Sequence, residues 1–187
     1  MASARRAQNK IWHQDDQFWE TMYPIMFNKE RWTNIPEEVG RVITLLNIAP
    51  PANILDLCCG PGRHSLELAR RGFSVTSVDR TIIYLKMARK KANTEGLNIE
   101  FVHKDMRLFC RPNSYDGVIN LYTSFGYFED PKDDQRVLIN IHRSLKNNGK
   151  LVMDLIGKEI IARIFRERDW HEENGKIIME ERKISKD

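Results

Sequence analysis

The sequence predicts an α/β fold: a doubly wound, mostly parallel sheet, entered through N-terminal helices and followed by a C-terminal antiparallel hairpin. Three observations carry this. Between Asn53 and Ile156, short apolar runs alternate with segments of helical periodicity, a βαβα pattern. Each connection between runs has room for a helix or an extended loop, as parallel pairing requires. Further on, Asn174-Gly175 separates two strand-like runs, and that dipeptide suits the φ > 0 positions of a tight hairpin turn.

Taken in order, residues 1–10 are polar and aperiodic and are expected to fray. Asp16 to Phe27 concentrates Phe18, Trp19, Met22, Tyr23, Ile25, Met26 and Phe27, too much apolar surface to leave in water, so it must pack on something. The stretch TNIPEEVGRVITLL reads as a helix. Pro36, Glu37 and Glu38 suit its first turn, and Val39, Val42, Ile43 and Leu46 recur at helical spacing. Pro50-Pro51 ends it. NILDL is the first strand, before a helix that stops at Gly72. FSVTSV is the second, before a helix from Thr81 to about Gly96. IEFVH and YDGVINL follow, then a helix carrying Val137, Leu138, Ile141 and Leu145, then KLVMDLI after Asn148-Gly149. The expected organisation is a helical cap segment over 1–50, a core over 51–156, and a helix with hairpin over 157–187.

Composition narrows the class. The 187 residues are 41% apolar, as in a globular domain, and no apolar run approaches the length of a membrane span. The basic start lacks an apolar signal core, so a cytoplasmic protein without a membrane partner is expected. Three cysteines, two of them adjacent at Cys58 and Cys59, suit neither a disulfide framework nor a zinc site, and His13, His64, His142 and His171 show no metal-ligand spacing. The net charge of +4 is spread among 26 acids, which favours a mixed solvated surface over a nucleic-acid footprint.

The chemistry concentrates in ILDLCCGPGRHSLELARRGFSVTSVD. A strand ends at Asp56-Leu57, a small-residue loop follows and a helix opens near Arg63, so unpaired N–H groups and the helix dipole converge where an anion would sit. Gly60 and Gly62 permit close approach of a ligand to the backbone. Asp79, ending the second strand, would lie beside the loop with acceptors for both hydroxyls of a ribose.

This constellation resembles the class I S-adenosylmethionine-dependent methyltransferases, with a Rossmann-like sheet. The resemblance covers Asn53 to Ile156. It implies S-adenosylmethionine as cofactor, with Asp56, Gly60 and Gly62 in the cofactor loop and Asp79 on the ribose. It further implies Asp105-Met106 against the adenine and Asn120-Leu121 bordering the methionine moiety. Cys58 departs from the pattern, standing where the family has its first glycine. A reactive role for Cys58 or Cys59 is the minor reading, since nothing local lowers a thiol pKa. Tyr23 joins the set because an N-terminal segment often covers the cofactor in this family.

The implied function is methyl transfer, with a small-molecule acceptor favoured by the position of the hairpin. An RNA or protein methyltransferase and a non-catalytic cofactor binder stay open as alternatives. A nicotinamide enzyme stands further back, because its third glycine would fall at Ser65. Asn120-Leu121-Tyr122-Thr123 also lacks the Asn/Asp-Pro-Pro-aromatic signature of base amino-group modifiers. No catalytic residue is assigned. Tyr122, Phe125, Tyr127 and Phe128 are expected beside the methyl-transfer site, facing Tyr23 across it. The family's strand order, 3-2-1-4-5-7-6, leaves its last two strands without counterparts in residues 157–187. A partial form, with a fifth-strand edge open to self-pairing, is therefore expected.

Overall fold

The structure, a computed structural model, describes residues 11–173 and 175–184. The segment expected to fray, 1–10, and Asn174 of the expected turn lie outside the described residues.

A 3-10 turn at Trp12–Gln14 leads into α1 (Asp16–Met26), α2 (Lys29–Thr33) and α3 (Ile35–Leu46). Side-chain caps start the first two: Asp15 accepts from the Gln17 N–H and Asn28 from the Arg31 N–H, satisfying donors a helix start leaves open. Pro36 occupies the first turn of α3, and Asn47 ends that helix at φ 53°. There follow β1 (Asn53–Leu57), α4 (Arg63–Arg70), β2 (Ser74–Asp79), α5 (Ile82–Thr94), β3 (Ile99–His103), β4 (Tyr115–Asn120), α6 (Pro131–Ser144) and β5 (Leu145–Met153).

The five strands form one parallel sheet in the order β3-β2-β1-β4-β5. Its two faces follow from the period-2 alternation of the central strands. Ile54, Val75 and Ile119 point to the side covered by Val39, Val42 and Leu46 of α3 and Leu68 of α4. Leu55, Leu57, Val78 and Val118 point to the other, against Val137 and Ile141 of α6. Asp56 sits between two leucines of the second set, so alternation turns its carboxyl toward α4.

The fifth strand departs most from expectation: it ends at Met153 rather than Ile156. It starts at Leu145, which pairs with Tyr115 before the register shifts, and the expected run resumes with Gly117↔Lys150 through Asn120↔Met153. Asn148, at φ 65°, lies in the irregular part. Periodicity is lost there, so the extra pairing had no signature.

The chain divides after Asp154 into two compact units. The second holds α7 (Lys158–Ile164) and the antiparallel pair β6 (Arg168–Glu173) and β7 (Lys176–Glu181). Glu173↔Lys176 closes the hairpin over a two-residue turn, with Gly175 at φ 71° as a tight turn requires. Among the described residues no helix is long and apolar enough to cross a membrane, and no cluster of His, Cys, Asp or Glu is arranged to hold a metal ion.

Candidate functional site

The site grows from the β1–α4 loop at the carboxyl edge of the sheet, where ligands of open α/β sheets sit. Three residues there are left-handed: Cys58 at φ 64°, Gly60 at φ 55° and Gly62 at φ 78°. Cys58 therefore adopts the conformation that glycine adopts freely, at a cost of about 1–2 kcal/mol for an L-residue. The coil is stitched by the Cys59 N–H to Val78 O (3.0 Å) and the Gly62 N–H to Cys59 O (3.0 Å).

Asp79 closes the arrangement. Its Oδ2 accepts from the Gly60 N–H at 2.8 Å and its Oδ1 from the Thr81 N–H at 2.7 Å, which fixes the carboxyl and leaves each oxygen a lone pair for a ligand. Burial pushes its pKa above the ordinary value, and the hydrogen bonds from Thr81 and Gly60 pull the other way.

Asp56 has a different task. It is buried, accepts from the Ser65 hydroxyl, and Ser65 in turn accepts from Ser77, so one carboxyl ties β1 to α4 and β2 beneath the loop. Burial raises its pKa, against His64, Ser65 and Arg63, which lower it. Ser65, where a dinucleotide loop would carry glycine, is fully buried in this relay.

Burial, with the neighbouring acids, pushes both loop thiols well above their ordinary pKa, so they are protonated at neutral pH and act as small packing groups. The Cys58 sulfur lies 3.4 Å from that of Met106.

Asp56, Cys58, Gly60, Asp79, Asp105 and Met106 all line one cavity. Asp105 is held by the Arg107 backbone N–H (2.8 Å) and guanidinium (2.7 and 3.0 Å). Burial would raise its pKa, and these bonds override burial and hold it below the usual range. The other predicted residues stand behind the wall. A Cβ on Gly62 would come within 2.8 Å of the Ala88 Cβ, so this glycine lets the loop seat on α5. Asn120, fully buried, donates to Leu57 O at 3.0 Å, and its Oδ1 finds no partner among the described residues.

Tyr23 requires a correction. Its ring packs on Phe27 and Tyr84, with centroids 5.4 and 5.8 Å away, and it is not part of the cavity wall. One helical turn to either side, Trp19, Met26 and Phe27 are. They face Tyr122, Tyr127 and Phe128, so the two aromatic segments do enclose the cavity, though not through Tyr23. The aromatic density of the segment was legible, but which side chains of that one helical face reach the cavity was not.

Sequence reasoning also missed the charged groups. Arg63, 4% exposed, lies over the rings of Tyr122 (4.4 Å) and Phe27 (5.2 Å) and donates to Arg31 O at 3.1 Å. Neither Arg63 nor Arg31 forms an ion pair among the described residues, and both reach the cavity, an arrangement that accommodates an anionic group. The available signal was position: an arginine in the first turn of α4 opposes the helix dipole, which favours negative charge there. His64 and Tyr122 also line the cavity and share Glu38, at 2.9 Å from His64 Nε2 and 2.7 Å from the Tyr122 hydroxyl.

Arg80 latches the N-terminal segment over the loop. It donates to His13 O (2.8 Å), Gln14 O (2.7 Å) and Asp16 Oδ1 (2.8 Å). Arg80→Ala is expected to speed limited proteolysis within residues 11–27 about tenfold or more, because those bonds together contribute about 1–3 kcal/mol against local opening. An unchanged cleavage rate would show that ring packing and the Tyr84 hydroxyl bond to Trp19 O hold the segment without Arg80.

Residues 54–149 match the family model described as "Methyltransferase domain". The chain is 31% identical over 114 residues to the mitochondrial ubiquinone biosynthesis O-methyltransferase of Schizosaccharomyces pombe, covering 59% of this chain and 40% of that protein. It is 32% identical over 110 residues to the glycine/sarcosine N-methyltransferase of Aphanothece halophytica, covering 58% and 42%. The chain thus spans less than half the length of these curated relatives. An S-adenosylmethionine-dependent methyltransferase from Clostridium acetobutylicum shares the fold, with a TM-score of 0.68 at 16% identity over 85% of this chain and 65% of that one. With its parallel sheet, glycine loop and matched family model, the chain belongs to the methyltransferase-domain family of class I, S-adenosylmethionine-dependent enzymes.

Proposed function

We propose that this chain binds S-adenosylmethionine in the cavity at the sheet's carboxyl edge and methylates a small-molecule acceptor. The observation that carries this is the Asp79 carboxyl, held by the N–H groups of Gly60 and Thr81 with acceptor capacity toward the cavity. The donor set fits the cofactor. Asp79 takes the ribose hydroxyls, Asp105 and Met106 border the adenine, and the guanidiniums of Arg31 and Arg63 suit the amino-acid end, with Asn120 buried behind that wall. Asp56, Cys58 and Gly62 shape the loop, and Tyr23 backs Phe27.

When bound, the cofactor supplies a methyl group already electrophilic on its sulfonium. The protein's part is alignment and exclusion of water, to which the rings of Trp19, Phe27, Tyr122, Tyr127 and Phe128 contribute a mostly apolar enclosure. Relatives named for an O-methyltransferase of ubiquinone biosynthesis and for a glycine/sarcosine N-methyltransferase support a small acceptor.

Calorimetry with S-adenosylmethionine, S-adenosylhomocysteine and NAD tests the reading. Saturable heat is expected for the first two and none for NAD. A folded preparation that takes NAD and ignores the others would overturn it.

A further inference from the structure

We propose that His64 is the proton acceptor of the methyl-transfer step, with Glu38 and Tyr122 as its positioning residues; this rests on reading the cavity as a methyltransferase site. His64 lies in the first turn of α4, is 5% exposed and borders the cavity. Its Nε2 is 2.9 Å from Glu38 Oε2 on α3. That hydrogen bond, and a second from the Tyr122 hydroxyl, hold the Glu38 carboxyl below the usual range despite burial. An ionised carboxylate only accepts hydrogen bonds, so the shared proton resides on Nε2. In the neutral tautomer the ring's lone pair is then on Nδ1, which makes no hydrogen bond among the described residues.

The support around the ring is constrained from several sides. Glu38 Oε1 accepts the Tyr122 hydroxyl at 2.7 Å, so both carboxylate oxygens are engaged and the pair is fixed. Tyr122 is delivered by an unusual turn. It and Thr123 are both left-handed, at φ 58° and 57°, conformations that L-residues avoid and that cluster at functional sites. The Thr123 N–H to Asp154 O and the Asp154 N–H to Asn120 O, both 3.0 Å, hold that turn. The imidazole is faced by Glu38 from α3, Asp56 from β1, Arg63 on its own helix and Tyr122 after β4, and the Arg31 guanidinium of α2 lies 5.6 Å from the Tyr122 ring centroid. Two acids and two guanidiniums thus surround the ring.

The step balances for any acceptor bearing a proton on nitrogen or oxygen. The acceptor's lone pair forms the bond to the methyl carbon, and the carbon–sulfur bond breaks with its electron pair going to sulfur. The acceptor's proton passes to His64 Nδ1 and then to water.

The test compares wild type with His64→Gln, whose amide preserves a donor toward Glu38 but offers no base. Calorimetry with S-adenosylhomocysteine comes first: no binding by the wild type would sink the methyltransferase reading and this proposal with it. Methyl transfer from labelled cofactor is then measured to glycine, sarcosine and catechol as acceptor probes. The expected result is S-adenosylhomocysteine affinity within threefold of wild type, kcat lower by about 10²-fold or more, and loss of the rise of log kcat with pH. A variant with wild-type kcat and pH profile reduces the pair to a tie between helices and overturns the assignment. Nitrogen-15 NMR of the histidines gives an answer whether or not a probe is methylated. A neutral His64 protonated on Nε2 supports the proposal, and one protonated on Nδ1 refutes it.

Discussion

Replacing Asp79 with alanine is expected to weaken S-adenosylhomocysteine binding at least a hundredfold while leaving the fold intact. Two effects add. The ligand loses an acceptor for its ribose hydroxyls, each such bond to a charged group contributing about 1.5–3 kcal/mol. The loop loses the carboxyl that receives the Gly60 N–H at 2.8 Å and the Thr81 N–H at 2.7 Å, so its preorganisation falls as well. Asp79→Asn should fall between, because its amide nitrogen must face one of those two donors. Calorimetric titration of both variants, with circular dichroism to confirm folding, gives the comparison. Affinity within threefold of wild type for the alanine variant would remove Asp79 from the site.

Gly62→Ala should destabilise the protein by about 2–4 kcal/mol, through left-handed strain and overpacking acting together. The residue sits at φ 78°, and a Cβ there would lie 2.8 Å from the Ala88 Cβ on α5. For a chain of this size that corresponds to a fall in Tm of roughly 5–15 °C. Gly96→Ala isolates the first component, since Gly96 has φ 65° and nothing within 4 Å of the added carbon. Combining Gly62→Ala with Ala88→Gly should recover the overlap, less about 1 kcal/mol for a helical glycine. A Gly62→Ala melting temperature within 2 °C, on the order of the effect of 1 kcal/mol or less, would mean that the loop shifts away from α5.

The core strands were legible because the chemistry repeats along them. NILDL and IEFVH have the observed boundaries, β4 ends one residue earlier than expected, and β2 is shifted by one residue at both ends. Buried parallel strands demand continuous apolar runs, and Ile54, Leu55 and Leu57 supply one. Asp56, Gly60 and Asp79 were legible for a local reason: a strand end, a turn and the next strand end fix their neighbourhood. Groups brought together over long distances in sequence were not. Glu38 meets His64 across 26 residues and Tyr122 across 84, and Arg80 meets His13 across 67. No periodicity encodes those meetings. Helical position alone does not separate Tyr23 from Trp19 and Met26, which share its face of α1; the stacking of Tyr23 on Phe27 and Tyr84 keeps its ring off the cavity wall.

The latch at Arg80 also bears on how affinity is set. Trp19, Met26 and Phe27 form part of the cavity wall, yet their segment is joined to the sheet side mainly through one guanidinium, the Tyr84 hydroxyl donating to Trp19 O, and ring packing. The binding-competent cavity is therefore a state with a population, and the apparent dissociation constant is the intrinsic one divided by the fraction of molecules with the segment docked. Substitutions that touch no ligand, such as at Asp16, can tune affinity through that fraction alone. A ligand that contacts both walls draws the segment down in return, so occupancy and order of the first helices rise together.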